Sequence, residues 1–311
     1  LLMLVTACSG EADKSVITLN ITDGNLKEKP VLYLPDGKEI TMELSEDGTG
    51  SATVNNTGNI FVRLGYRYTS RLIWLAPGAQ VNISFHSKKF HENITVEGTD
   101  SNINTFLNSN VYKYATIDDC SKGEMEYISF ADSLLNANLA FLEKENFSAE
   151  FKQQETLRLK YYTYQILPSF RYFHSRFAQE PDSSESPAYW SKLKELCVYD
   201  SNLLQIEEYR RFLYESVSLL SKSEFPQHTG IERLVSFIEK NVSDAKVAEY
   251  LVYKRVYSFV KKNGIDGAAK YFEAFDKYVT DSAMVEQMAQ LKEKMGKCAV
   301  GAPSPDFKCT D

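Results

Sequence analysis

Cysteine and histidine are the side chains of this sequence best suited to redox, nucleophilic or metal chemistry, so their spacing comes first. Cys8, Cys120, Cys197, Cys298 and Cys309 include no two that stand three apart. The sequence as given therefore holds no C-x-x-C, the spacing that lets one thiol resolve a mixed disulfide made by its neighbour. His86, His91, His174 and His228 do not cluster with cysteine. His86 and His91, five apart at a predicted strand end, read as exposed polar residues rather than as ligands. Cys197 lies between Leu196 and Val198 on a predicted helix, where a buried, inert thiol is expected. Asp118 with Asp119, and Glu207 with Glu208, are adjacent carboxylates. Acid–base work needs two groups set against a substrate, which adjacency does not supply, so both pairs read as solvated loops or faces. No G-x-S-x-G, no phosphate-binding glycine loop and no H-E-x-x-H is present, so no metal or cofactor is expected.

Residues 157–177, LRLKYYTYQILPSFRYFHSRF, interleave aromatics with arginine and lysine. Two readings are open. One is a surface of Tyr161, Tyr164, Arg171, Tyr172 and Arg176 that stacks on a glycan ring or a peptide side chain. The other is a helix kinked at Pro168, with rings packed inward and basic stems covering them. The helical spacing favours the second.

The elements that would position such groups fall into two alphabets. From residue 15 to 98 apolar residues alternate with period two: Val31 and Tyr33; Ile40, Met42 and Leu44; Ile60, Val62, Leu64 and Tyr66; Val81, Ile83 and Phe85. Asp23-Gly24, Asp36-Gly37, Asp47-Gly48 and Pro77-Gly78 punctuate them as turns. Short strands at this spacing predict an antiparallel β-sandwich with one packed and one wet face. From residue 99 to 297 apolar residues recur at three and four, which predicts an all-α helical bundle. Thr229 with Glu232 reads as a capping box, Ser186-Pro187 as a helix start, and Asn263-Gly264 and Gly296 as helix stops. Met284, Met288, Leu291 and Met295 form a stripe expected to face a core. The fold class is thus α+β, sandwich first and bundle second.

Bulk composition bounds the rest. A chain of 311 residues with 43% hydrophobic and 25% charged side chains has the length for about two domains and the apolar content for their cores. Its formal net charge of −7, without a long basic run, argues against nucleic acid as a partner.

The two ends carry the most specific signals. At the front LLMLVTACSG is an apolar run, too short to span a bilayer, that ends in small residues and Cys8. The quartet Val5-Thr6-Ala7-Cys8 resembles the bacterial lipobox. That resemblance implies a diacylglycerol on the Cys8 sulfur and a membrane partner through that lipid. Ser9 after the cysteine points to the outer membrane, with the protein facing the periplasm. At the other end Val300-Gly301-Ala302-Pro303-Ser304-Pro305-Asp306-Phe307 resembles the lead-in to the thioredoxin fold of membrane-anchored thiol-disulfide oxidoreductases and their peroxiredoxin relatives, with Ser304 where alanine is usual. Two prolines stiffen an extended chain, and Phe307 needs a core to enter. Between the ends, residues 72–83 as a strand and Gly98 before a helix with Asn104 and Leu107 are similar to the N-terminal region of Bacteroidetes-type lipoproteins that end in such a domain.

The resemblance implies a division into residues 1–14 as signal remnant and tether, 15–98 as sandwich, 99–297 as helical domain, and 298–311 as linker and first strand of a thioredoxin-like domain. It places the catalytic dithiol beyond Asp311, so this stretch would be non-catalytic. Gly301, Pro303, Pro305, Asp306 and Phe307 would open the redox domain. Disulfide-bearing envelope proteins are the implied substrates, and a homo-oligomer is left open. Cys309 stands where the family has an ordinary strand residue. A Cys298–Cys309 disulfide is a minor expectation of an oxidising compartment. The alternative from another class is a surface lipoprotein that binds a glycan, peptide or partner protein without enzymatic activity.

Overall fold

The computed structural model describes residues 13–23, 28–178 and 186–297. The chain is mixed α+β and divides into two compact units. The first takes the described residues of Leu1–Tyr114, Ser133–Leu159 and Gln205–Glu207; the second takes those of Ala115–Asp132, Lys160–Leu204 and Glu208–Asp311.

The first unit contains eight strands in two four-stranded sheets. In chain order they are β1 (Lys14–Thr22), β2 (Val31–Tyr33), β3 (Glu39–Thr41), β4 (Thr49–Asn55), β5 (Ile60–Tyr66), β6 (Thr69–Leu75), β7 (Gln80–His86) and β8 (Thr95–Gly98). One sheet runs β4-β1-β7-β8 and the other β3-β2-β5-β6. The period-two residues do what the alternation predicts. Ile17, Leu19, Val81 and Ile83 from the first sheet share one buried cluster with Leu32, Val62, Leu64 and Ile73 from the second.

Two expectations need correction. The strands are not all antiparallel, because β1 pairs β7 in parallel, Val16 facing Gln80 through Thr22 facing His86. From β1 the chain lays β2 and β3 in the second sheet, β4 on the far side of β1, and β5 and β6 in the second sheet, before β7 returns beside β1 in the same direction. Nor does each sheet have one wet face. Phe61 and Trp74 point away from the shared cluster and enter a second core with Ile103, Phe106, Leu142, Phe151 and Leu159. Those residues come from α1 (Ser101–Leu107), the later part of α2 (Glu124–Lys144) and α3 (Ala149–Thr163). A strand covered on both faces needs an unbroken apolar run, and Leu72-Ile73-Trp74-Leu75 supplies one.

Helix α1 also closes the sheet edge. The Asn104 carboxamide accepts from the Trp74 amide at 2.7 Å and donates to the Trp74 carbonyl at 3.1 Å. Four residues on, Asn108 Nδ2 donates to the Leu72 carbonyl at 2.9 Å. Alternate β6 residues expose their backbone on this edge, and one helical turn matches that repeat. Asn104 is fully buried, so its amide replaces the strand that β6 lacks. The chain reaches α1 through Gly98, whose φ of +92° and contact with the Gln80 carbonyl leave no room for a Cβ.

The helices of the second unit include α4 (Phe170–Phe177), α5 (Pro187–Leu196), α7 (Gly230–Asn241), α8 (Ala245–Asn263), α9 (Ala269–Tyr278), α10 (Ser282–Gly296), and α6 (Glu207–Glu224) from its second residue on. Ser186 caps α5 by accepting from the Tyr189 amide at 3.2 Å, with Pro187 in the first turn. Gly264 at φ 81° ends α8. Thr229 does precede α7, but its side chain makes no capping bond. Glu232 instead reaches Lys270 of α9 at 2.5 Å, and one heptad on Glu239 pairs with Lys277 at 2.9 Å. Met288 and Leu291 are buried as the methionine stripe predicts.

Candidate functional site

The lipid-attachment candidate Cys8, the lead-in residues Gly301, Pro303, Pro305, Asp306 and Phe307, and Cys298 and Cys309 lie outside the described residues. Inside them, the stretch 157–177 is not one kinked helix. Helix α3 ends at Thr163, a 3-10 turn spans Leu167–Ser169, and α4 starts at Phe170. Pro168 cannot donate to a helical ladder, and here it breaks the helix rather than bending it.

The proposed ligand surface does not survive as a set of five. Tyr161 and Tyr164 are 1% and 2% exposed, whereas Tyr172 is 63% exposed. Tyr161 packs edge-on against Tyr209, with ring centroids 4.9 Å apart, and burial pushes its phenol up to about 12. Tyr164 donates to Asp132 Oδ1, the same oxygen that Lys192 approaches at 3.1 Å. Burial, and then Asp132, push the Tyr164 phenol well above its ordinary range. Arg171 is partly buried; Arg176 is exposed with Tyr172 on α4. Inward rings won because the chain needed them as core.

The acidic pairs are also more ordered than the sequence suggests. Asp119 caps the 3-10 turn Ile117–Ser121, accepting from the Thr116 amide at 2.9 Å and pairing with Lys122 at 3.0 Å. Glu207 is exposed and pairs with Arg63, but Glu208 is buried, so that pair is not one solvated face.

Both described cysteines are sealed. Cys197 is buried as expected, and Cys120 has no exposed surface at all. Burial pushes each thiol up to about 12, which leaves the nucleophilic thiolate negligible at neutral pH. His174 Nδ1 lies 2.7 Å from the Cys120 backbone carbonyl, and the enclosed thiol beside it, pushed up to about 12, is not an activated nucleophile. Among the described residues no group of three or more His, Cys, Asp and Glu is placed to hold a metal ion.

Arg158, one of the basic residues expected to point outward from the aromatic stretch, is buried instead, and its partner Glu155 of α3 carries no motif in the sequence. They form a bidentate pair, Nε to Oε2 and Nη2 to Oε1 both at 2.7 Å, with side chains 0% and 6% exposed. The i,i+3 spacing was a usable signal for the pair, though not for its burial. The guanidinium also lies 6.0 Å from the centroid of the Phe61 ring. An enclosed, mutually neutralised pair under an aromatic layer orders a core and has no route to a substrate.

An open groove lies in the first unit. Ser101, Asn102, Thr105, Phe106 and Ser109 form one wall, and Glu145, Asn146 and Phe147 the other, around a volume of about 630 Å³. Phe106 and Phe147 meet edge to face at 5.0 Å as its apolar floor. Mostly neutral hydrogen-bonding side chains and the single carboxylate of Glu145 surround the aromatic floor, a lining suited to a polar ligand that carries no negative charge.

No protein-family model, curated protein or solved structure matches the chain. No described helix is long and apolar enough to cross a membrane.

Proposed function

We propose that this chain is the N-terminal, non-catalytic region of a lipid-anchored envelope protein whose redox domain has a thioredoxin-like fold. The observation that carries the reading is the run of residues 300–307, two prolines followed by Asp306 and Phe307. Cys8 in its small-residue context supports the anchor, in the outer membrane facing the periplasm. In finer terms the two sheets act as a β-sandwich and the later helices as a bundle, which together hold the redox domain away from the lipid.

The chemistry of the whole protein is thiol-disulfide exchange. A thiolate of a C-x-x-C beyond Asp311 attacks a disulfide sulfur of an envelope protein, which releases one substrate thiolate and forms a mixed disulfide. The second thiol then displaces the remaining substrate sulfur. The substrate leaves as a dithiol, and the enzyme's dithiol is oxidised to a disulfide. The sealed Cys120 and Cys197 take no part. The test is disulfide reduction by the complete protein and by residues 9–297 alone. The reading expects activity from the first and none from the second; an inactive complete protein with its dithiol intact would contradict it.

A second reading rests on the groove between Phe106 and Phe147. There the protein is a binding module for a glycan or peptide, without enzymatic activity. Saturable binding that Phe147→Ala abolishes, joined to an inactive complete protein, would favour it.

A further inference from the structure

The edges of the two sheets are treated unequally. β3 has three residues and β8 four, too short to template a long partner. β6 has seven, and Asn104 and Asn108 occupy backbone groups of Trp74 and Leu72 along it. β4 also has seven residues, Thr-Gly-Ser-Ala-Thr-Val-Asn, and its only strand partner among the described residues is β1.

The register shows which backbone groups β4 leaves outward. Asn56 donates to the Asp13 carbonyl and Ile21 to the Gly48 carbonyl, each at 2.9 Å. In an antiparallel ladder bonded pairs recur every two residues, so Gly50, Ala52 and Val54 exchange bonds with β1. The amides and carbonyls of Thr49, Ser51, Thr53 and Asn55 then face the other way. The turn takes up Thr49, whose carbonyl accepts from Ser45 at 2.8 Å and whose amide donates to Asp47 at 3.0 Å. Among the described residues, Ser51, Thr53 and Asn55 remain as an open edge with no proline and no charged side chain, the usual guards against pairing.

We propose that this edge pairs with the same edge of a second copy of the chain, antiparallel about a two-fold axis at Thr53. In that register Thr53 faces its own counterpart and Ser51 faces Asn55, which exchanges about six main-chain hydrogen bonds. Two facts favour a second copy over a foreign strand. A segment without charge meets no like charge when paired with itself, in a chain whose net charge of −7 opposes self-association elsewhere. The register also sets buried Ala52 beside buried Val54 of the other copy, so the inner apolar face continues from sheet to sheet. The two-fold closes on itself and forms no fibre.

The test is the mass of the chain in solution across a concentration series, alongside two variants. The native chain is expected to be a dimer. Thr53→Pro removes an outward amide without touching the bonds to β1, and is expected to be a monomer with unchanged circular dichroism. Thr53→Cys is expected to give an oxidised dimer whose cross-link maps to the two introduced cysteines, because bonded antiparallel pairs lie about 5.5 Å apart at Cα, within disulfide reach. The cross-link keeps the proposal testable if the proline variant does not fold. A monomeric native chain, or a dimer in which Thr53→Cys forms no cross-link, would overturn it.

Discussion

At the scale of single residues, burial decides what each reactive group can do. Cys120 and Cys197 have the chemistry of nucleophiles and the surroundings of core residues. With both thiols pushed up to about 12 by burial, thiolate reactivity is negligible at neutral pH, and the folded protein loses stability as the pH rises from the ordinary thiol value near 9 toward 12. N-ethylmaleimide at pH 8 is therefore expected to leave both unmodified in the native protein and to label both in denaturant, read by peptide mass spectrometry. Rapid native labelling of either would refute its enclosure. Glu155 and Arg158 obey the same rule with opposite charges. Glu155→Gln removes the carboxylate charge that faces the buried Arg158 guanidinium and is expected to cost about 3–5 kcal/mol, measured by urea unfolding. Replacing both with apolar residues of similar size should recover most of that loss, since the pair's desolvation cost disappears with it.

At the scale of elements, local physics was legible wherever one face met one core. The alternation of Val62, Leu64 and Tyr66 gave a strand whose residues are buried as the period requires. Gly264 and Ser186-Pro187 marked helix ends for reasons contained in a few neighbouring atoms. What failed to show was set by distant chain. Glu232 had the spacing of a capping partner, but Lys270 offered it an opposite charge. The helical spacing points Tyr161 and Tyr164 inward, as found, but their own segment does not name the Tyr209 ring and the Asp132 carboxylate that they meet. The covered face of the β5–β6 pair was visible only as an apolar run, and a run cannot name the helix that covers it. Helix α1 makes this concrete. Asn104→Leu keeps the volume but orphans the Trp74 amide and carbonyl, so it should destabilise the first unit by about 2–4 kcal/mol. Asn108→Leu, which loses one partly buried bond, should cost about 1 kcal/mol. Equal effects would mean that α1 merely packs on β6 and does not substitute for a strand.

At the scale of the whole molecule, the reactive groups among the described residues are taken up in structure. Among the described residues, two units with filled cores hold sealed thiols, a buried ion pair and an open groove. Phe307 and the prolines before it carry the central claim, that the chain leads into a thioredoxin-like domain with a redox dithiol. The most direct measurement is to read the coding sequence past the codon for Asp311. The account expects a buried-strand pattern followed by Cys-x-x-Cys at the start of a helix. A single cysteine there would move the protein toward peroxidase chemistry, and a stop codon directly after Asp311 would contradict the claim.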